Sequence, residues 1–365
     1  MFKNIFLTGF PGFIGHRLIK ELLQETEQVH CLVQSHMMEQ AREEAGNLTR
    51  EMELSPEKIR LYPGDITRKN LGLSAENYRL LTNCTTHVFH LAAVYDLGVS
   101  EELARKVNVE GTRNINKFCL DCEKLERHIY FSTCYVSGNC EGTFYEEDLE
   151  KGQDFKNYYE STKHQAEVEV RKKQGQIPTT IIRPAIVVGD SVTGEINKFD
   201  GPYFIMTFVR RFGRLPLPYI GRGEAEFNLV PVDFLVRATL TLARKNTAGE
   251  TFQIADPSPY TVREVYGEIA HQIAGSKPRF TLPEKPVIAI HHLPFISGLT
   301  GIEAKAFDYL NHQVKYDTTN LEKYLDPEGI KCPDFFQYLP NLIRFFRENS
   351  GERSFLRPAR ERVRS

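Results

Sequence analysis

Ile5-Phe6-Leu7-Thr8-Gly9-Phe10-Pro11-Gly12-Phe13-Ile14-Gly15 decides the fold. A short apolar strand runs into glycines spaced three apart. From Phe13 to Leu23 the apolar positions Ile14, Leu18, Ile19 and Leu22 then recur with helical period. Strand, glycine turn and helix in that order is the context that gives such glycines meaning. They permit a tight turn, close approach of backbone to a pyrophosphate, and close packing of helix on strand. The free N–H groups of the helix N-terminus then face the phosphates. The spacing predicts that Gly9, Phe10, Pro11, Gly12, Phe13, Ile14 and Gly15 cradle a dinucleotide. A structural turn in an unrelated α/β protein is the competing reading.

Working outward, strand-like runs recur at Val29–Val33, Ile59–Tyr62, His87–Leu91, His128–Ser132 and Thr179–Arg183. Helical stretches fall between them at Met38–Glu53, Glu101–Cys122 and around Tyr159. Strands alternating with helices imply an α/β doubly wound parallel sheet, whose right-handed crossovers align the strand C-termini along one ligand-binding edge. After Gly189 the rhythm changes to an aromatic run (Tyr203, Phe204, Phe208, Phe212), Leu215-Pro216-Leu217-Pro218, and a helix opening at Pro231-Val232-Asp233. The expected organisation is a dinucleotide-binding domain over residues 1–190 and a smaller substrate lobe over 191–350, parts of which return to the first domain. Residues 351–365, with five arginines, form a basic tail expected to be disordered.

Tyr159 and Lys163 stand four apart in a helical stretch, which puts both side chains on one face. A phenol is a poor acid near neutrality because its free pKa is about 10. An adjacent ammonium favours the phenolate, so the pair is expected to act as an acid–base device. Thr133, at the end of the fifth strand, is expected at the same sheet edge. Tyr158 is a neighbouring decoy, and Ser132 is the substitute for Thr133. Taken singly, each residue has a plain structural reading; together with the glycine turn they point to hydride transfer.

A hydrophobic fraction of 41% and a charged fraction of 26% are ordinary for a globular enzyme. The net charge of −2 and the lack of a basic run through the body argue against a nucleic-acid partner. The seven cysteines are scattered, and Cys119-x-x-Cys122 lies within a helical stretch without a second pair, so no metal site is expected. Met1-Phe2-Lys3-Asn4 runs straight into a strand with no signal-peptide pattern, and no apolar stretch is long enough to span a bilayer. The expectation is a cytoplasmic protein.

With these residues in place, the chain resembles an extended short-chain dehydrogenase/reductase, a Rossmann-type family, most strongly over residues 1–260. Gly64-Asp65-Ile66 is similar to the adenine-side motif, which assigns Asp65 and Ile66 to the cofactor. His90-Leu91-Ala92-Ala93 resembles the strand end whose small residues, with Leu91, Ala92 and Ala93, lie against it. Val107-Asn108-Val109-Glu110-Gly111-Thr112 matches the segment whose Asn108 supports the active-site lysine and water. Arg183-Pro184 precedes the loop beside the nicotinamide, which adds Pro184 and Val187. The resemblance implies that Tyr159 is the proton donor, that Thr133 hydrogen-bonds the reacting oxygen, and that Lys163 holds the cofactor ribose. Relatives that use NADP carry an arginine after the second strand where this chain has Gln34. Ser35, His36 or Arg42 is left to meet a 2′-phosphate, so NADP is expected, with NAD as the alternative.

The stretches around Lys69–Leu73, His90–Gly98, Ile186–Glu195 and Asn228–Phe234 narrow the likeness. They resemble fatty acyl-CoA reductases, thioester reductase domains and male-sterility-type proteins, and above all the N-terminal half of bacterial alcohol-forming fatty acyl reductases. The resemblance implies reduction of a long-chain acyl thioester or fatty aldehyde. An acyl-carrier protein or a peripheral membrane contact is a further partner in view. Phe199, Tyr203, Phe204, Ile205, Phe208 and Phe212 then either line an acyl channel or form the core of the lobe. The alternatives are a sugar-nucleotide epimerase or dehydratase, and a cofactor-binding regulatory protein. Dehydratases add an acidic residue beside the catalytic Thr, where this chain has Cys134 and Tyr135; regulatory members lose the Tyr or the Lys.

Overall fold

The computed structural model describes residues 2–95, 98–291, 309 and 312–351. Asp96 and Leu97 of the His90–Gly98 stretch, the later part of the Pro-rich region, and the basic tail after Gly351 lie outside the described residues.

Strands β1 (Phe2–Thr8), β2 (Thr26–Val33), β3 (Ile59–Pro63), β4 (His87–His90) and β5 (Arg127–Phe131) alternate with helices α1 (Phe13–Leu22), α2 (Met38–Glu51), α3 (Ala75–Cys84), α4 (Glu101–Ala104) and α5 (Gly111–Asp121). A three-residue strand β6 (Gly142–Phe144) precedes helix α6 (Tyr158–Arg171), which leads into β7 (Thr179–Pro184). Beyond it come β8 (Ile186–Val188), α7 (Pro202–Phe212), β9 (Pro218–Ile220), β10 (Leu229–Pro231), α8 (Val232–Arg244), β11 (Thr251–Ile254) and α9 (Val262–Ala274). Strands β12 (Phe280–Leu282) and β13 (Val314–Tyr316) and a helix at Phe335–Asn349 follow.

Seven strands form one parallel sheet in the order β11-β7-β5-β4-β1-β2-β3. The chain winds outward from β1 through β2 to β3, then crosses to β4 on the other side of β1. The switch point therefore lies between β1 and β4, where open α/β sheets bind ligands. The expected doubly wound α/β fold is what the chain adopts. The seventh strand, β11, comes from residues 251–254 and returns to the main sheet beside β7. Strand β10 pairs with β8, and β9 with β12, in small parallel ribbons outside the main sheet.

Buried side chains on both sheet faces explain the nearly continuous apolar strands. Ile5, Leu7, Val29, Cys31, Phe89, Ile129 and Ile182 pack on one side, where Leu18, Ile19 and Leu22 of α1 meet Leu235 and Leu242 of α8. Phe6, Leu32, Val88, Ile115 and Phe118 pack on the other. A separate core holds the back portion together. Phe199 and Tyr203 are buried in it with Met206, Val209, Leu339 and Phe346, and the Tyr203 hydroxyl accepts from the Gly189 N–H at 3.2 Å. These two aromatics are core, while Ile205, Phe208 and Phe212 pack against it half-buried.

Candidate active site

At the switch point the glycines are required by close approach. Gly9 has φ +103°, and a Cβ there would lie 2.9 Å from Leu91 Cβ, so the end of β1 and the exit of β4 nearly touch. A Cβ on Gly12 or Gly15 would meet the Gly9 carbonyl oxygen at 2.7 or 2.6 Å, and Gly12 N–H donates to that oxygen at 2.9 Å. All three glycines thus close the turn on itself, and no side chain caps the N-terminus of α1. The exposed, bare helix start is the fit expected for a pyrophosphate. Phe10 and Pro11 are buried beneath the turn, with Phe13 and Ile14 half-buried.

The edges of this crevice carry the other expected residues. Asp65 follows β3, and its Oδ1 accepts from Thr67 N–H at 2.8 Å, which leaves the carboxylate half-exposed. Ile66 is buried against Gly111 of α5, so close that a Cβ on Gly111 would lie 2.6 Å from it. Leu91 and Ala92 N–H groups are tied back to Thr8, at 3.2 Å in each case. Ala93 is half-buried in the same exit loop. Pro184 ends β7, and Val187 sits in β8 opposite Val230. Gln34, Ser35 and His36 lie exposed just beyond β2, with Arg42 exposed on α2.

Asn108 differs from expectation. The helix expected over Glu101–Cys122 contains a π-helical stretch at Arg105–Glu110, a feature frequent at functional sites. Asn108, within it, receives Val94 N–H at 2.9 Å and donates to Val94 O at 3.1 Å and Thr162 Oγ1 at 3.0 Å. Its side chain therefore pins the β4 exit loop and α6 rather than touching Lys163.

Thr133 caps a short 3₁₀ turn at Cys134–Ser137 and is buried, its Oγ1 accepting Tyr135 N–H at 3.2 Å. The Thr133 hydroxyl is close enough to the Tyr159 phenol to lower its pKa. Tyr159 lies in the first turn of α6, which is capped by Asn157 Oδ1 accepting Glu160 N–H at 3.0 Å. Its neighbour Tyr158 is 47% exposed and turns outward, which removes the decoy. Ser132 is committed elsewhere: it donates to Glu167 Oε2 at 2.5 Å. Thr133 thus lies at the β5 exit and Tyr159 in the first turn of α6.

Lys163 is buried in the next turn of α6 and donates to Phe131 O at 2.7 Å and to Tyr130 Oη at 3.2 Å. Burial pulls it down to about 7, with the Glu167 carboxylate acting the other way. Tyr159 is not among its hydrogen-bond partners, and this corrects the expected coupling. Burial pushes the Tyr159 phenol up to about 12 although part of the ring still reaches solvent; the opposing influence is the Thr133 hydroxyl.

Beneath these groups is an ion pair that spacing alone does not reveal. Arg183 of β7 and Glu167 of α6 are fully buried and joined twice, Nη2 to Oε1 at 2.6 Å and Nε to Oε2 at 3.1 Å. Arg171 adds a third guanidinium contact at 3.0 Å. Arg183 also donates to Glu146 O and Asp148 O, at 3.2 and 2.6 Å, so its donors are well used. Burial would raise the Glu167 carboxyl, but Arg183, Arg171 and Ser132 outweigh it and hold it at about 2. The pair ties helix α6 to the sheet under Thr133 and Lys163.

Cys119 and Cys122 are buried thiols raised by desolvation, Cys122 to about 12, and no cluster of metal-ligating side chains occurs among the described residues. No helix among the described residues is long and apolar enough to cross a membrane.

A glycine turn at the switch point, and Thr133, Tyr159 and Lys163 along the same edge of a parallel sheet, define a Rossmann-type protein of extended short-chain dehydrogenase/reductase build, a class that takes a nicotinamide dinucleotide. The sequence model of the male sterility protein family matches residues 7–239, well over half of the chain, and the chain belongs to that family. It is 27% identical over 280 residues to a fatty acyl-CoA reductase of Drosophila melanogaster, covering 66% of this chain. The chain spans about half the length of that relative, 54%. Among solved structures, the terminal R domain of the myxalamid PKS-NRPS pathway superposes with a TM-score of 0.82 at 24% identity, covering 97% of this chain and 92% of that one. A thiolation-reductase di-domain from an archaeal non-ribosomal peptide synthetase gives 0.77 at 18% identity, covering 96% and 76%. At these identities the two structures speak for the fold.

Proposed function

We propose that this chain is an NAD(P)H-dependent reductase of a long-chain acyl thioester or fatty aldehyde. The observation that carries the reading is the placing of buried Thr133 at the β5 exit and of Tyr159 in the first turn of α6, over the same edge as the glycine turn. The dinucleotide, when bound, supplies the hydride. The turn Gly9–Gly15 would hold its pyrophosphate, Asp65 and Ile66 its adenine side, and Leu91, Ala92, Ala93, Pro184 and Val187 the walls of its crevice. Asn108 serves the site at one remove, by fixing the loop after β4.

The reaction follows from the side chains. As hydride reaches the carbonyl carbon, the electron pair of the C=O bond moves to oxygen. Tyr159 Oη–H gives that oxygen its proton, and the Thr133 hydroxyl hydrogen-bonds the same atom. Lys163 on the cofactor side offers an ammonium to the ribose hydroxyls. The aldehyde step needs no group beyond these. Thioester reduction also needs a grip on a bulky carrier, for which Arg210, Arg211, Arg214 and Arg222 are the candidates: Arg210 lies over the Phe346 ring and bonds Ser350, while Arg222 is exposed and meets Glu224 only at 3.9 Å. An aldehyde is therefore reduced at least as readily as the matching thioester. The likeness to a thiolation-reductase di-domain supports a carrier-borne thioester as the other form of substrate.

NADP is favoured over NAD because no carboxylate follows β2 to bind ribose hydroxyls, and Ser35, His36 and Arg42 are exposed there to meet a 2′-phosphate. The back portion, residues 191–350, serves as the substrate lobe. The test is NADPH and NADH oxidation with hexadecanal, palmitoyl-CoA and a panel of sugar nucleotides. Turnover of the sugar nucleotides alone overturns the reading. A clear preference for the thioester over the aldehyde overturns the order of substrates.

A further inference from the structure

Behind Lys163 lies a run of buried polar side chains that the reaction just described does not use. Tyr130, on β5, is fully buried, and its ring lies under the Lys163 ammonium with Nζ 4.7 Å from the centroid. Its hydroxyl accepts from that Nζ at 3.2 Å, and Thr112 of α5 lies near it. Thr112 Oγ1 is 2.6 Å from Asn108 O and 3.2 Å from His90 Nε2. His90 Nδ1 is 2.8 Å from Thr8 Oγ1, at the end of β1 next to the glycine turn. Thr8, His90, Thr112 and Tyr130 are each at most 2% exposed.

Donor and acceptor capacity fixes the direction of this run. Asn108 O can only accept, so the Thr112 hydroxyl donates to it. Thr112 Oγ1 then accepts from His90 Nε2–H. His90 Nδ1 is left to accept from Thr8, which suits an imidazole that burial keeps neutral. The Lys163 ammonium can only donate, so Tyr130 Oη presents a lone pair to it. Such a fully satisfied buried network fixes side-chain positions, because each member is costly to leave unpaired.

We propose that Tyr130 is the positioning residue of Lys163, its hydroxyl oriented from behind by Thr112 and His90 so that it holds the lysine ammonium toward the cofactor side of the site. The proposal rests on the reading of Lys163 as the residue that meets the cofactor ribose. The groups facing Lys163 are Tyr130 from β5, His90 from β4, and Glu167 from its own helix, the last of these paired with Arg183 and Arg171. A hydroxyl that accepts from an ammonium favours the charged form, so losing it makes the lysine give up its proton at lower pH.

The experiment measures NADPH affinity by fluorescence titration as a function of pH, together with kcat/KM, for wild type, Tyr130→Phe, Thr112→Val and Lys163→Met. Tyr130→Phe keeps the ring under the ammonium and removes only the oxygen. Its alkaline loss of NADPH affinity is expected to begin about one pH unit lower than in wild type, about a twofold loss at the displaced midpoint that grows to roughly tenfold above the wild-type midpoint. Thr112→Val, which removes the support behind the hydroxyl, is expected to shift the limb the same way by less; it decides the matter if Tyr130→Phe does not fold. Lys163→Met is expected to abolish the limb. If Lys163→Met keeps the wild-type limb, the reading of Lys163 falls. If Lys163→Met removes the limb while Tyr130→Phe, or Thr112→Val in its place, leaves it unmoved, that reading stands and the role of Tyr130 is refuted.

Discussion

Glu167→Gln should destabilise the chain severely, and the structure supplies the size of the effect in two ways. The carboxylate is fully buried between Arg183, Arg171 and Ser132, and Arg183 is itself fully buried. Removing one partner of a buried ion pair strands the other charge, at a cost of about 3–5 kcal/mol. The proton-linkage route gives a similar figure. The Glu167 carboxyl is held at about 2 against an ordinary value of 4.5, and that gap corresponds to roughly 3 kcal/mol. A depressed carboxylate contributes stability that is complete above about 4.5 and is lost as pH falls toward about 2. Urea denaturation of wild type and variant at pH 7 should therefore show the full difference, which narrows on the acid side of 4.5. The double change Glu167→Leu with Arg183→Met should cost less than Glu167→Gln alone. It will not be neutral, because Glu146 O and Asp148 O lose their donors. A loss below about 1 kcal/mol at pH 7, or a difference that is constant into acid, would refute the view that this pair anchors α6 to the sheet.

Three further outcomes follow from the site. Tyr159→Phe should reduce turnover at least about 10²-fold with NADPH affinity nearly intact, measured by NADPH oxidation and fluorescence titration; near-wild-type rates would remove Tyr159 from the mechanism. Gly15→Ala, whose Cβ would stand 2.6 Å from the Gly9 carbonyl oxygen, should weaken NADPH binding sharply by forcing the turn open. Unchanged affinity in a folded variant would make the turn irrelevant to the cofactor. The Lys163 ammonium, held at about 7, should lend kcat/KM for NADPH a limb that falls as pH rises through that value; a profile flat from acid to well past neutrality would count against it.

The parts legible in the sequence are those whose partners lie close along the chain. Glycines three apart after a strand, and Tyr159 four before Lys163, carry their geometry in their spacing. Strand β11 escaped because its middle residue is polar. Gln253 is buried, and its amide donates to Phe144 O at 2.7 Å and Asp317 O at 3.0 Å, while its backbone N–H reaches Glu146 Oε1 at 2.9 Å. A glutamine at the centre of a four-residue run breaks the apolar signature of a central strand, and the partners that make it tolerable lie more than sixty residues away. The Glu167–Arg183 pair was hidden for the same reason: Glu167 reads as a helix-surface charge until β7 comes to lie under α6. The π-helical turn at Asn108 has no local signal at all, since it is held by Val94 and Thr162.

The division of labour between Tyr159 and Lys163 is where spacing misled. Four residues apart on a helix, they invite the inference that the ammonium makes the phenol acidic. Burial instead favours the neutral form of both: the phenol keeps its proton, and the lysine gives its own up near neutrality. For a reductase this suits the chemistry. The reacting oxygen becomes strongly basic only as hydride arrives, so the donor must hold its proton until then rather than shed it beforehand. Thr133 is the neighbour that acts against burial at Tyr159, lowering its pKa. Lys163 is turned toward Phe131 O and Tyr130 instead. In the proposed reaction, acid chemistry at Tyr159 therefore rests on burial, and the lysine four residues on answers to the sheet beneath it.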